Sequence, residues 1–301
     1  MIHCRAFAFT VLLLGAAAPV NAHGQSNHTA GKMTSNASYK PTRSGYAPVN
    51  GLQLYYEVYG GQTTGVPLVL LHGGGSTIGT NFGRVIPLLG KNRQLIAVEF
   101  QAHGHTRDID RPFTFAQDAE DVAALLALLH VPKADVLGFS NGGSTALQVA
   151  IRHPKVVNRI VTIASIYKRD GMPAEFWDFM QKGTFADMPQ VYKDEYLKIN
   201  PSQEGVRAMY ERDSRRMIGF ADWPDADIRS IQAPTLVVVG DRDVVRPEHA
   251  LEMSRLLPHG RLSILPGTHG EYMGEIMTPN VHERVPQLFV ALVEEFLSAG
   301  R

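Results

Sequence analysis

Cysteine occurs once in the 301 residues, at Cys4. With no second thiol, an internal disulfide and a cysteine-rich metal site are both excluded. An excess of charge is missing too: Lys plus Arg and Asp plus Glu each number 29. No net field therefore favours nucleic acid or an anionic membrane as a partner. Long apolar runs are absent beyond the first twenty residues, and the one that exists, Ala6 to Ala18, has 13 residues. A helix that crosses a bilayer needs about 20.

That run follows Arg5 and ends in Val20-Asn21-Ala22, a small-x-small cleavage pattern. Together they predict a secretory signal peptide over residues 1–22 and an exported protein, periplasmic or secreted, with no integral membrane span in the mature chain. Cys4 lies in the segment to be removed, so a chain starting near His23 carries no thiol and no cysteine nucleophile. Residues 23–44 are polar and small, with too little apolar surface to offset the entropy of ordering, and read as a flexible N-terminal arm.

What is present is ordinary globular material, 44% hydrophobic and 19% charged, enough to bury a full core. Asn50-Gly51 before the alternating Leu52 to Tyr59 predicts a hairpin turn. Apolar runs then recur at Val66 to Leu71, Gln94 to Phe100, Ala134 to Phe139, Arg159 to Ala164, Pro234 to Gly240 and Arg261 to Leu265. Helical patterns fall between or after them, among others at Phe115 to Leu129, Gly143 to Arg152, Pro247 to Leu257 and Val285 to Leu297. Alternation of this kind predicts an α/β fold, a mostly parallel sheet covered by helices on both faces. The rhythm stops over residues 166–228, which hold Trp177, Trp223 and several Met, Phe and Tyr but no strand run. This stretch reads as a helical cap that divides a core into a first part, 45–165, and a second, 229–301.

Gly138-Phe139-Ser140-Asn141-Gly142 stands where the strand ADVLGF meets a helix. A serine at such a corner is held in a strained backbone conformation that projects its hydroxyl, and the glycines let the turn close. A serine hydroxyl is a weak nucleophile and needs a base that a third group orients. His269, in Thr268-His269-Gly270 after RLSILP, and Asp243, after TLVVVG, follow later strands whose loops open at the same sheet edge. Asp241 is the second candidate acid and could instead cap its turn. His72-Gly73-Gly74-Gly75 after VPLVLL supplies a side-chain-free loop, so the amides of Gly74 and Asn141 are the candidate donors to an oxyanion. His103-Gly104-His105 lacks further partners at ligand spacing, so no metal is assigned; His72 and His103 read as loop braces.

HGGG, GFSNGG, GDRD and THG, in this order and each behind an apolar strand, resemble the α/β-hydrolase family, in particular its members with a helical cap. The likeness runs over about residues 46–298. It implies an eight-stranded sheet, a triad of Ser140, Asp243 and His269, and no cofactor. Where many relatives carry an Asp, a basic residue and Gly-His-Gly-x-Ser, this chain has Gln101-Ala102-His103-Gly104-His105-Thr106, which bears on loop bracing. Ser140 in place of an aspartate argues against epoxide and carbon-halogen chemistry. The expected activity is hydrolysis of a small ester-like substrate through an acyl-enzyme. Carbon-carbon cleavage beside a ketone, lactone hydrolysis and perhydrolysis use the same triad, and a non-catalytic ligand-binding protein of the same fold is the alternative of another class.

Overall fold

The computed structural model describes residues 39–61, 65–278, 281–282 and 284–299, and the compact unit is Lys40–Arg301. The segment expected to be a signal peptide, and most of the one read as an N-terminal arm, lie outside the described residues. The last two residues read as arm do not: Arg43 and Ser44 open the first strand. Their pairing with Val58 and Glu57 explains the difference, because a polar edge strand is held by backbone bonds rather than by burial.

Eight strands form one sheet: β1 Arg43–Val49, β2 Leu52–Tyr59, β3 Leu68–Leu71, β4 Leu95–Glu99, β5 Ala134–Phe139, β6 Val157–Ile163, β7 Thr235–Gly240 and β8 Gly260–Leu265. Their order across the sheet is β1-β2-β4-β3-β5-β6-β7-β8. Only β2 runs against its neighbours; every pair from β4 onward is parallel. The β1-β2 turn uses Asn50 at φ 47° and Gly51 at φ 82°. Both angles are the left-handed values that a two-residue hairpin loop demands, and Asn-Gly supplies them at low cost.

Burial follows position in the sheet. Every residue of β3, β4, β5 and β7 is buried, whereas the edge strand β8 is half-exposed. Continuous Val, Ile and Leu runs suit strands covered on both faces. The covering helices are α1 Ile78–Phe82, α2 Ile86–Leu89, α3 Phe115–Leu128, α4 Asn141–Arg152, α9 Pro247–Leu256 and α10 Arg284–Ser298. Between β6 and β7 come four helices and no strand: α5 Ala174–Lys182, α6 Gln190–Ile199, α7 Gln203–Ile218 and α8 Asp225–Ser230. Met188, Tyr196, Val206 and Met209 give this insertion an apolar cluster of its own. No helix of the described residues is long and apolar enough to cross a membrane.

Candidate active site

Ser140 sits between β5 and α4 with φ 54° and ψ −119°, a conformation that non-glycine residues rarely adopt. The fold holds it there by backbone bonds: its amide donates to the Ile163 carbonyl at 2.8 Å, and its own carbonyl accepts from Gly143 and Ser144. Such a corner tolerates no side chain on either flank. A Cβ at Gly138 would lie 2.1 Å from the Gly142 carbonyl oxygen, and one at Gly142 would lie 2.1 Å from that of Leu71.

The β7–α9 loop delivers Asp243, whose side chain is wholly buried. One carboxylate oxygen accepts from the Val245 amide at 3.1 Å and the other from Gly240 at 3.4 Å. His269 Nδ1 donates to Asp243 at 2.7 Å, which fixes the tautomer with the lone pair on Nε2. Burial pulls the imidazole pKa down, but the charge and hydrogen bond of Asp243, with a further contribution from Glu275, outweigh it and the net direction is upward. Asp241 goes elsewhere: it accepts from the Gly267 amide at 2.8 Å and is half-exposed. The His269 ring packs on Phe139, the residue before Ser140, with ring centroids 4.7 Å apart. The structure thus joins Asp243 to His269 and sets both beside the serine corner. Among the described residues no hydrogen bond links the Ser140 hydroxyl to His269; such bonds commonly tighten only when substrate is engaged.

The glycine loop after β3 lies against the same corner. A Cβ at Gly73 would stand 3.2 Å from the Ser140 Cβ, and one at Gly74 would stand 2.6 Å from the Asn141 side-chain nitrogen. Gly73 donates its amide to Asn81 at 2.7 Å and Gly75 donates to Asp213 at 2.6 Å. Gly74, between them, makes no amide hydrogen bond among the described residues. The Asn141 amide opens α4 and has no helical carbonyl to meet. Two free amides near one serine can stabilise a developing oxyanion, each contributing about 3 to 4 kcal/mol if removal costs what such donors usually cost.

Asp213, on cap helix α7, was not among the residues singled out from sequence. It lies in a run of charged residues that reads as a solvated helix face, yet it is 8% exposed. It receives the Gly75 amide, His103 Nε2 at 2.9 Å and Arg216 at 2.5 Å. His103 Nδ1 also donates, to the Gln101 carbonyl at 2.8 Å, so both ring nitrogens carry protons and the ring is cationic. Burial opposes that charge and Asp213 favours it, raising the His103 pKa overall. Asp213 in turn is held well below the usual carboxylate range: burial alone would raise it, and the charges of His103 and Arg216 with the hydrogen bonds from His103 and the Gly75 amide overcome this. His72 is the neutral counterpart. It donates to the Gly73 carbonyl, accepts from the Phe100 amide at 3.1 Å, and is pushed down to about 3 by burial and by His103. Both histidines brace loops, and the described residues contain no group of three or more His, Cys, Asp or Glu placed to hold a metal ion.

The sign of the His103–Asp213 linkage gives a testable pH dependence. A raised histidine contributes stability below about pH 6.5 that is lost as pH rises through its folded value; a depressed aspartate contributes above about pH 4 and loses it on acidification. The clasp is therefore fully effective between those limits. His103→Gln is expected to lower the melting temperature by several degrees near pH 5.5 and by progressively less above pH 7. Scanning calorimetry over that range would show a constant gap instead if the ring is neutral.

Comparison with known proteins agrees with the fold. Residues 66–208 match the family model described as alpha/beta hydrolase fold. The chain has the α/β-hydrolase fold. It is 29% identical over 268 residues to the serine hydrolase BPHL of Homo sapiens, covering 83% of this chain and 84% of that protein. It is 28% identical over 261 residues to a 2-hydroxy-6-oxo-2,4-heptadienoate hydrolase of Pseudomonas putida, covering 78% and 90%. Solved structures share the fold: a hydrolase from Pseudomonas aeruginosa superposes with TM-score 0.68 at 23% identity, covering 86% of this chain and 99% of that one. The enol-lactonase of Burkholderia xenovorans gives 0.66 at 21%, covering 84% and 99%. Like the relatives named here, this α/β-hydrolase is an enzyme.

Proposed function

We propose that this α/β-hydrolase is an exported serine hydrolase that cleaves a small ester-like substrate through Ser140, His269 and Asp243. The observation that carries the reading is the 2.7 Å bond from His269 Nδ1 to buried Asp243, immediately beside a serine at φ 54°. His269 Nε2 takes the Ser140 proton as the hydroxyl oxygen attacks the substrate carbonyl. The oxyanion forms against the amides of Gly74 and Asn141. Collapse of that intermediate expels the alcohol, which takes the proton from His269, and leaves an acyl-enzyme. Water, deprotonated by His269, then releases the acid. Asp243 stabilises the imidazolium without itself accepting the proton. The reaction needs no cofactor.

A panel of p-nitrophenyl esters of rising acyl length tests the reaction type, and turnover is expected to be fastest on short or aromatic acyl groups. A second reading is carbon-carbon or enol-lactone cleavage on the same three side chains, favoured by the likeness to the heptadienoate hydrolase over 90% of that protein. No turnover of any ester in the panel would favour that second reading. Export rests on residues 1–22, and N-terminal sequencing of the protein from a periplasmic or culture fraction is expected to begin at His23.

A further inference from the structure

Glu275 takes no part in the reaction just described, yet it is 2% exposed and lies close to its centre. It follows the short turn Glu271–Met273 that leaves the His269 loop. Its amide donates to the Gly270 carbonyl at 3.2 Å, and a Cβ on Gly270 would meet the Glu275 Cβ at 2.8 Å. Three donors converge on its carboxylate: the Tyr192 hydroxyl at 2.7 Å, Asn81 Nδ2 at 3.3 Å and the Met277 amide at 2.7 Å. Burial moves the Glu275 carboxyl above the usual carboxylate range, and the hydrogen bonds from Tyr192 and the Met277 amide, with the charge of His269, offset only part of that rise.

Those partners come from separate parts of the site. Tyr192 belongs to cap helix α6. Asn81 belongs to α1, and its carbonyl oxygen accepts the Gly73 amide at 2.7 Å while its nitrogen donates to Ser76 at 3.1 Å. One hydrogen-bonded chain therefore runs from the cap, through Glu275 beside His269, to the loop that presents the Gly74 amide. We propose that Glu275 is a positioning residue, a second carboxylate that supports the His269 imidazolium and couples seating of the cap through Tyr192 to the oxyanion loop. The inference rests on the triad reading above.

The electrostatics agree in direction. Burial lowers the His269 pKa, while Asp243 and then Glu275 raise it. Two other ionisable groups, Glu271 and Tyr272, lie on the same turn. Glu271 accepts from the Thr268 amide and hydroxyl at 2.8 and 3.0 Å. Tyr272 is buried and kept protonated, by burial first and by Asp243 second. Asp243 and Glu275 thus both favour the charged imidazole, and of the two only Glu275 is hydrogen-bonded to the cap.

The test is the pH dependence of covalent labelling by a fluorophosphonate, which reads His269 through the reactivity of Ser140 and needs no natural substrate. In Glu275→Gln the acid limb is expected to move down by about half a unit to one unit, because a negative charge near the imidazolium is lost. Glu275→Asp keeps the charge and should leave the limb in its wild-type position. Tyr192→Phe should slow labelling by about tenfold at its plateau with the limb unmoved, as expected for misplacement rather than lost charge. An unshifted limb in a folded Glu275→Gln, or wild-type labelling of Tyr192→Phe, overturns the proposal. If near-ultraviolet dichroism shows that Glu275→Gln has not folded, Tyr192→Phe decides alone. Labelling of Ser140→Ala at the wild-type rate would instead remove the triad reading, and this inference with it.

Discussion

Ser140→Ala is expected to abolish fluorophosphonate labelling and to lower ester turnover by about five orders of magnitude, while the melting temperature stays within about a degree of wild type. The rate loss follows because Ser140 is the hydroxyl held at the strand-to-helix corner beside the glycine loop and His269. The stability should be unchanged because alanine suffers the same backbone strain as serine at φ 54°. The Ser140 amide and carbonyl keep their bonds to Ile163, Gly143 and Ser144 in either case. Labelled peptide mapping supplies the check: a modified residue elsewhere in the chain would transfer the nucleophile there.

Asp243→Asn should cost about four orders of magnitude in kcat with little change in KM. An asparagine at this place still offers an oxygen to the Val245 amide, so the loop can keep its shape. It removes the charge opposite His269, and its amide group can turn the imidazole to the tautomer whose Nε2 no longer accepts a proton. Asp241→Asn is the matched control. Asp241 is half-exposed and holds the Gly267 amide, so its variant should stay within about threefold of wild type, in line with the small effect of surface changes. Reversal of the two results in steady-state assays would move the orienting acid to 241.

Much of this architecture could be read from residues alone, for identifiable reasons. The limits of β2 and β5 coincide with their apolar patterns, because Asn50-Gly51 punctuates one and the Gly-x-Ser-x-Gly corner the other. β6 begins at Val157, two residues before the apolar run suggested, where half-buried Asn158 and Arg159 sit among strand backbone. β3 begins two residues late, at Leu68, since Val66 and Pro67 precede the ladder. The short helices α1 and α2 left no periodic trace, being under two turns each.

At the site, Ser140, Asp243 and His269 were legible because each follows an apolar strand at the same sheet edge, and the hydrogen bond then distinguishes Asp243 from Asp241. Asp213 and Glu275 were not. Each is a lone acid whose meaning depends on partners far along the chain, Gly75 and His103 for one, Asn81 and Tyr192 for the other. Gly270 and Gly274, both at left-handed angles, bracket the turn before Glu275 and are the only local hint that the chain there is bent for a purpose.

Reactive atoms hung from strand ends, with their cover entering as a single detour between β6 and β7, make a design in which substrate range could drift while the chemistry stays put. The Asp213 anchor sets a limit on that freedom. A chimera carrying a foreign cover without an acid at this place would leave the Gly75 amide and the His103 cation unanswered in a dry interior, a loss of about 3 to 5 kcal/mol by the usual cost of orphaning a buried charge. Grafts that retain that one carboxylate should fold and keep their loop; those that lack it should be rescued by restoring it alone.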